Sequence, residues 1–277
     1  MNRPDKQYFP FIDGEKRLAK LAAKIRKETG DYIRHYRLSS LVLGISGGID
    51  SALCAVLLKP VCEQYRIPLI GRSITIETNK QDEIVRSLAV GELFCHDFRH
   101  MDITDTFIVN RQNLTALDES TLSKLRQGNM KARMRMMILY DLAQLNKGIV
   151  ISTDNYTEYL TGFWTLHGDV GDFAPIINLW KTEVYHLSQF LLQECTDPQK
   201  EALRACIDAI PVDGLGISSC DCEQLGVDNY YEADHIFQEY FANKNETLET
   251  HPLIQRFIGS AYKRKNPVLI RRALLVK

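Results

Sequence analysis

The sequence predicts an α/β fold in which a parallel sheet carries helices on both of its faces. Three observations support this prediction. Short apolar runs alternate with amphipathic stretches, which is typical of repeated strand–helix units. Glycines directly follow the first apolar run, as expected where a strand turns into a helix. No internal repeat, low-complexity tract or Pro/Ser-rich linker divides the chain of 277 residues.

The first predicted strand is the apolar run 41–45, which is followed by Gly47 and Gly48. Residues 51–59 then have helical character. We expect Pro60 to end this helix, because proline lacks the N–H that an interior helical position donates.

The next elements continue the alternation of strands and helices. Residues 67–74 are predicted to form the second strand, 81–90 a helix and 100–103 a third strand. Arg72 is expected at the end of the second strand, on the same edge of the sheet as the loop after the first strand. Strands joined by helices in this way pair in parallel, because each connection must return to the starting edge of the sheet.

A long helix is predicted over about 120–146, and Gly148 is expected to end it. Residues 149–152 form the next buried strand. The predicted apolar stripe of the long helix consists of Met134, Ile138, Leu142 and Leu145.

The strand–helix pattern weakens after about residue 200. A stretch at about 205–226, rich in Gly, Asp, Ser and Cys, is predicted to be a mobile loop and a candidate lid. Residues 227–277 are expected to be helical. We therefore predict one domain over 1–277, with a Rossmann-like, doubly wound core at about 30–200 and a helical C-terminal region.

Charge and composition exclude several classes of protein. Lys and Arg number 34 against 35 Asp and Glu, so there is no global basic field of the kind that favours nucleic-acid binding. The N-terminus does not resemble a signal peptide, and no apolar run reaches the roughly 20 residues of a membrane span. Seven scattered cysteines suit a reducing compartment, so we expect a cytoplasmic protein. The single close pair, Cys220 and Cys222, is weak evidence for a metal site, and we interpret both as free thiols.

The strongest motif is the loop Ser46-Gly47-Gly48-Ile49-Asp50-Ser51, between the first strand and its helix. Glycines there allow a phosphate to approach backbone N–H groups at a helix N-terminus. The loop has no Walker A pattern and no lysine. It resembles the pyrophosphate loop of the N-type ATP pyrophosphatases, which split ATP into AMP and pyrophosphate.

Two further blocks resemble the ammonia-dependent NAD synthetases within that superfamily. The first is the run 128–136, Gly-Asn-Met-Lys-Ala-Arg-Met-Arg-Met, and the second extends from Ser152 to Asp169 and on to the helix start at 181–185. The resemblance implies a ligase that uses ATP and Mg²⁺ to convert deamido-NAD and ammonia into NAD. It covers most of residues 15–195.

Two carboxylates follow predicted strands, Asp50 after the first and Glu158 after 149–152. Both should therefore lie at the carboxyl edge of the sheet, where open α/β sheets bind ligands. The resemblance implies that they hold Mg²⁺ and, with Lys181, form the catalytic group. It places the ATP contacts at Gly44, Ile45, Ser46, Gly47, Gly48, Ile49, Asp50, Ser51, Arg72, Thr153 and Lys181. It places the deamido-NAD contacts at Arg133, Asp172 and Lys263.

The chain departs from the family pattern at three positions. Leu166 stands where many members carry a substrate-binding lysine, Tyr262 stands where many have histidine, and Val212 replaces a threonine that touches ATP. The departure at Leu166 puts in doubt how a phosphate or the carboxylate of the nicotinate substrate is held, but not the ATP chemistry. At Val212 any contact with ATP must come from the backbone.

The expected mechanism is adenylation of the nicotinate carboxylate followed by attack of ammonia, with release of AMP and pyrophosphate. The chain has no room for a glutaminase domain, so free ammonia is the expected nitrogen source. The apolar long helix and the family's habit both indicate a homodimer. Two alternatives remain: a tRNA-modifying enzyme with the same loop, and a non-catalytic nucleotide-binding relative. Near-neutral charge argues against the first, and retention of Asp50 and Glu158 argues against the second.

Overall fold

The computed structural model describes residues 10–77, 79–113, 121–212, 220–242, 245–270 and 272. Within them the strands are β1 (Ser40–Gly44), β2 (Leu69–Thr75), β3 (Asp97–Asp102) and β4 (Gly148–Val150). The α-helices are α1 (Glu15–Tyr36), α2 (Ile49–Tyr65), α3 (Gln81–Phe94), α4 (Thr104–Gln112), α5 (Thr121–Leu145), α6 (Tyr156–Thr161), α7 (Lys181–Leu191), α8 (Asp197–Ile207), α9 (Asp221–Leu225), α10 (Tyr230–Ala242) and α11 (Pro252–Gly259). Short 3₁₀ turns occur at Leu192–Glu194, Glu246–Thr250 and Lys263–Lys265.

The four strands form one parallel sheet in the order β3-β2-β1-β4. Leu41 of β1 pairs with Leu69 of β2 on one side and with Ile149 of β4 on the other. The chain runs outward from β1 to β3 and then crosses back to place β4 on the opposite side. The sheet order therefore reverses between β1 and β4, which is the position where doubly wound folds bind ligands.

Both faces of β1 are buried, which explains why its sequence is continuously apolar rather than alternating. Leu41 and Leu43 point into the larger core, which contains side chains of α1, α2, α7 and α8. Val42 points to the other face and packs with Met136 and Leu139 of α5. The predicted doubly wound α/β fold with helices on both faces is confirmed.

The C-terminal helices surround a separate aromatic core. Trp180 and Phe237 are fully buried there, with ring centroids 6.2 Å apart. This core joins α6 and the start of α7 to α9, α10 and α11. The C-terminal helices thus pack against α6 and the start of α7. Among the described helices, none has the length and apolar character needed to cross a membrane.

Two predictions about the first half of the fold are wrong. The helix does not end at Pro60 but continues to Tyr65, with Val61 and Cys62 buried. Burial of these side chains offsets the backbone hydrogen bond that the proline removes, a loss of about 3 kcal/mol. Arg72 was expected at the end of the second strand, but β2 continues to Thr75 and places it within the strand.

Three later predictions also need correction. Helix α5 ends at Leu145, and Gly148 begins β4 instead of ending the helix. Leu145 is 74% exposed and does not belong to the packed stripe. Met134, Ile138 and Leu142 do pack as predicted, and Met136, Leu139 and Ala143 are buried beside them. The expected loop at about 205–226 includes the end of α8 and all of α9, and its residues 213–219 lie outside the described residues.

Candidate active site

A cavity of about 890 Å³ opens at the carboxyl ends of β1 and β4, where the order of the sheet reverses. The loop after β1 forms one wall, and the segment from Ile151 to Glu158 forms another. The face of α5 around Arg133 and the chain around Lys263 complete it. This is the place where the sequence predicts the ATP and substrate contacts.

The loop after β1 requires glycine at position 47 for two reasons. Gly47 has φ +83°, a conformation that L-residues rarely adopt. A Cβ at this position would lie 2.3 Å from the carbonyl oxygen of Glu83 in α3. The guanidinium Nε of Arg86, also in α3, donates to the Gly47 carbonyl at 2.9 Å. Helix α3 therefore fixes the shape of the loop.

The same loop presents a helix N-terminus to the cavity. Gly48 is the N-cap of α2, and no side chain of the described residues caps this helix. The Ser51 hydroxyl donates to the Gly48 carbonyl at 3.0 Å and lies 3.1 Å from the Ser46 hydroxyl. Free N–H groups and the helix dipole together favour an anion, so the loop has the properties of a phosphate-binding site.

Asp50, Glu158 and Lys181 meet beside this loop and form what we call the catalytic cluster. Lys181 Nζ donates to Asp50 Oδ2 in a short contact and to Glu158 Oε1 at 3.4 Å. Asn155 Nδ2 donates to the other carboxylate oxygen of Asp50 at 2.9 Å. The Lys181 side chain is 4% exposed, whereas those of Asp50 and Glu158 are 17% and 19% exposed. The structure thus brings together the three residues that the sequence predicts as the catalytic group.

Local sequence explains how Glu158 reaches this position. Asn155 caps α6 by accepting from Glu158 N at 3.0 Å, and Glu158 Oε2 accepts from Asn155 N at 3.3 Å. This reciprocal capping box fixes the first turn of α6. One carboxylate oxygen of Glu158 thus holds the helix end, and the other faces Lys181.

Burial and neighbouring charges shift the pKa values of Glu158 and Lys181 in the catalytic cluster. Burial first, and then the negative charge of Asp50, raise the pKa of Glu158 to about 8. Burial disfavours the charge on Lys181, but Asp50 and Glu158 outweigh it and raise the pKa of this ammonium above its ordinary value. A cation between the two carboxylates is therefore strongly favoured.

The two carboxylates also suit a magnesium ion that is shared with a nucleotide. Mg²⁺ is usually bound by one or two carboxylates plus substrate phosphates, and not by a complete protein cage. No group of three or more potential metal ligands occurs among the described residues, so a metal held by protein side chains alone is not indicated there. Asp50 and Glu158 beside a phosphate loop fit the shared arrangement.

Four more predicted contacts line the same cavity: Arg72, Thr153, Arg133 and Lys263. The guanidinium of Arg72 is buried and pairs with Asp97 at 3.1 Å. Arg133 is exposed on α5, and its guanidinium donates to the Leu166 carbonyl at 3.0 Å.

Lys263 ties the C-terminal region to the cavity wall. Its ammonium donates to the carbonyl of Gly162 at 2.7 Å and to that of Trp164. Partial burial lowers the pKa of Lys263. The charged end of this lysine therefore sits at the loop 162–164, where it can reach an anionic substrate.

Asp172 lies outside the lining of this cavity. Its carboxylate accepts from the Tyr140 hydroxyl at 3.0 Å and from Val150 N at 3.1 Å. Burial and the Asp172 carboxylate raise the pKa of Tyr140 to about 12. Within this chain, Asp172 therefore fastens α5 to the end of β4.

The three positions that depart from the family pattern, Leu166, Val212 and Tyr262, all line the cavity. Leu166 is apolar, so the cavity lacks a cation at the position where many family members carry a lysine. At this point Arg133, which binds the Leu166 carbonyl, supplies the nearby positive charge.

Sequence reasoning missed three residues of the site. Asn155 binds Asp50, and its capping-box pattern with Glu158 could have indicated it. Asp154 is 8% exposed and lines the cavity, and burial raises its pKa to about 7. The ring of Tyr230 lies 5.1 Å from Lys181 Nζ, and no local pattern indicates this contact across the fold.

Comparison with known proteins identifies the family of the chain. The NAD synthase family model matches residues 21–267. The NH(3)-dependent NAD(+) synthetase of Syntrophomonas wolfei is 32% identical over 231 residues, which are 82% of this chain and 86% of that protein. That of Thermoplasma acidophilum is 29% identical over 235 residues, 83% of this chain and 90% of that protein.

Solved structures show the same fold. NMN synthetase from Francisella tularensis superposes with a TM-score of 0.73 at 26% identity, covering 92% of this chain and 98% of that one. The NH3-dependent NAD synthetase of Campylobacter jejuni gives a TM-score of 0.68 at 23% identity, covering 92% and 99% of the two chains. The phosphate loop, the catalytic cluster and these similarities lead to one conclusion: the chain belongs to the NAD synthase family, whose ammonia-dependent members are ligases.

Proposed function

We propose that the chain uses ATP and ammonia to amidate the nicotinate carboxylate of deamido-NAD. The reaction passes through an acyl-adenylate and releases AMP, pyrophosphate and NAD. The observation that carries the proposal is the catalytic cluster of Asp50, Glu158 and Lys181 beside an uncapped helix N-terminus. This arrangement suits a polyphosphate, and the family membership supplies the nicotinate substrate.

The chemistry explains why such a site is needed. A carboxylate reacts poorly with ammonia because its leaving group would be oxide, whereas an adenylate leaves readily as AMP. The loop after β1 binds the departing pyrophosphate through backbone N–H groups, and Lys181 neutralises developing charge on the phosphates. Asp50 and Glu158 would hold Mg²⁺, which would supply further positive charge to the phosphates. Positioning and charge neutralisation therefore account for catalysis without a covalent nucleophile.

A second acceptor, nicotinate mononucleotide, is favoured by two observations at the substrate end of the cavity. Leu166 offers no cation, and both carboxylate oxygens of Asp172 are bound within the chain. A dinucleotide has more phosphate and ribose groups for the cavity to bind than a mononucleotide has. Leu166 and Asp172 would contribute little to the binding of these additional groups. The similarity to a protein named NMN synthetase points in the same direction.

We also propose that the chain forms a homodimer through α5. Four large apolar side chains among the described residues of this helix are exposed, namely Leu125 at 43%, Met137 at 62%, Tyr140 at 40% and Leu145 at 74%. Burying such a stripe against a second copy removes apolar surface from water. Size-exclusion chromatography with light scattering tests this proposal, and a monomer at micromolar concentration would contradict it.

The deciding experiment incubates the purified chain with Mg-ATP, ammonium and either deamido-NAD or nicotinate mononucleotide. We expect amide product, AMP and pyrophosphate in equal amounts with the preferred acceptor. The matched control is Asp50→Asn, which keeps the size of the side chain and removes its charge, and which should abolish all three products. Comparing kcat/KM for the two acceptors identifies the substrate.

Each outcome has a definite meaning. Amidation of the mononucleotide alone would replace the first proposal by the second. Cleavage of ATP only in the presence of tRNA would indicate a tRNA-modifying enzyme. If ATP binds but is not consumed with either acceptor, the chain is a non-catalytic relative and the proposed function is wrong.

A further inference from the structure

A buried carboxylate outside the cavity joins the two helices that carry the catalytic cluster. Asp234, on α10, is completely buried. Its Oδ1 accepts from the Thr157 hydroxyl at 2.5 Å, and its Oδ2 accepts from Thr182 N at 2.8 Å. Thr157 belongs to α6 and Thr182 to α7. One carboxylate therefore bridges both helices.

The hydrogen bonds continue from this bridge to the catalytic residues. The Thr157 hydroxyl, which donates to Asp234, also accepts from Lys181 N at 2.9 Å. Thr157 directly precedes Glu158, and Thr182 directly follows Lys181. The Asp234 carboxylate is thus linked to the neighbours of both catalytic residues, and it does not itself face the cavity.

The N-terminus of α7 partly offsets the cost of burying the Asp234 carboxylate. A carboxylate at the N-terminus of α7 interacts well with the helix dipole and with unpaired N–H groups. Burial nevertheless disfavours its charge, and it raises the pKa of Asp234 to about 6. An apolar side chain would avoid this penalty, but it would leave Thr157 and Thr182 N without their acceptor.

The same helix contacts the other end of Lys181. Tyr230 lies one turn before Asp234 on α10, and its ring is 5.1 Å from Lys181 Nζ. The Tyr230 hydroxyl donates to Asp221 at 3.0 Å, which fixes the ring. One face of α10 therefore contacts both the first turn of α7, through Thr182 N, and the ammonium of Lys181.

We propose that Asp234 is a positioning residue: it locks α6 to α7 so that Glu158 and Lys181 act on the same phosphate group. The inference rests on the proposed function, because it takes Mg-ATP as the ligand of the catalytic cluster. It concerns how the cluster is held, not which nicotinate nucleotide is amidated.

The first test is Asp234→Asn, which keeps the shape of the side chain but removes its charge and one acceptor oxygen. Isothermal titration calorimetry measures binding of Mg-ATP without a nicotinate nucleotide, so the readout does not depend on turnover. Loss of a group that orients a metal or phosphate ligand typically costs about 10–100-fold in affinity or activity. We expect a Kd for Mg-ATP raised by this factor, with the KM for ammonium changed less than about twofold.

A matched control is Glu183→Gln, which alters a second buried carboxylate, one that belongs to α7. Glu183 accepts from Ile12 N at 2.7 Å and from Trp180 N at 3.0 Å, and neither of its partners is in α6. We expect Glu183→Gln to lower the melting temperature while leaving the Kd for Mg-ATP within about threefold of wild type. A purely structural role for Asp234 would make the two variants behave alike.

Variants of Thr157 test the link independently, including the case in which Asp234→Asn does not fold. Thr157→Val removes the bridging hydroxyl and should weaken Mg-ATP binding as Asp234→Asn does. Thr157→Ser keeps the hydroxyl and should bind Mg-ATP with wild-type affinity. Because both changes break one chain of hydrogen bonds, the double variant Thr157→Val/Asp234→Asn should be little weaker than either single variant.

The outcomes separate this inference from the proposed function. If the wild-type chain fails to bind Mg-ATP, both are wrong. If the wild type binds Mg-ATP and Asp234→Asn binds it equally well, only the positioning role is overturned. Equal weakening by Asp234→Asn and Glu183→Gln, or failure of Thr157→Ser to match the wild type, would overturn it as well.

Discussion

Replacing Lys181 by methionine tests the catalytic cluster directly. Methionine keeps much of the length and apolar character of the lysine stem but removes the ammonium that bridges Asp50 and Glu158. Two effects follow from the structure. Developing phosphate charge loses its fixed cation, and the two carboxylates lose the charge that separates them.

The catalytic effect is the larger of the two. Removing one preorganised group that stabilises transition-state charge typically lowers kcat about 10²–10³-fold, or roughly 3–4 kcal/mol. For stability, breaking a fully buried ion pair costs about 3–5 kcal/mol. Here the side chains of Asp50 and Glu158 are 17% and 19% exposed at a cavity. Because the pKa of Glu158 is raised to about 8, this residue can take up a proton. We therefore expect a smaller loss of folding free energy, about 1–2 kcal/mol.

The assay is single-turnover formation of AMP at saturating Mg-ATP and nicotinate nucleotide, with urea unfolding measured in parallel. Lys200→Met is the matched control, because Lys200 of α8 pairs with Asp197 at the surface at 3.2 Å. The control should keep wild-type rates. An AMP rate for Lys181→Met within tenfold of wild type, in folded protein, would refute the assignment of Lys181 to the phosphates.

Three further predictions address the loop, the cavity wall and the substrate end. Gly47→Ala should weaken ATP binding at least about tenfold and lower the melting temperature, since its φ is +83° and its Cβ would meet the Glu83 carbonyl. Burial raises the pKa of Asp154 to about 7, so its ionisation destabilises the fold increasingly from pH 4 to 7. Asp154→Asn should therefore gain stability over wild type across this interval, by at most roughly 4 kcal/mol in urea titrations, whereas a pH-independent difference would contradict this. Leu166→Lys should lower the KM for deamido-NAD more than that for nicotinate mononucleotide, and an unchanged KM ratio would argue against a phosphate at this position.

Local sequence is enough to predict the part of the site that is contiguous in the chain. The loop at 46–51, the capping of α6 and the start of α7 each depend on a few neighbouring residues with defined backbone roles. Parallel pairing then follows from strand–helix alternation. Asp50 and Glu158 could thus be placed at one sheet edge before their contacts were known, whereas Lys181 is assigned to the same group only through the family resemblance.

Features that depend on distant residues could not be predicted in this way. Pro60 stays within α2 because the core buries the side chains that follow it. Tyr230 and Asp234 reach the catalytic helices from a C-terminal helix that has no motif of its own. Leu145 has the spacing of a core residue but is exposed at the last position of α5. In each case tertiary packing determines the helix boundary, the contact or the burial, and local sequence patterns do not predict it.

Under the proposed function, the position of Lys181 between two carboxylates favours ATP over a free metal ion as the first ligand. A free divalent cation approaching Asp50 and Glu158 would have to displace a buried ammonium that is already paired with both. ATP would give this ammonium phosphate oxygens as new partners and would bring its own magnesium. The resting protein would then need no metal ion to balance the charges of the catalytic cluster.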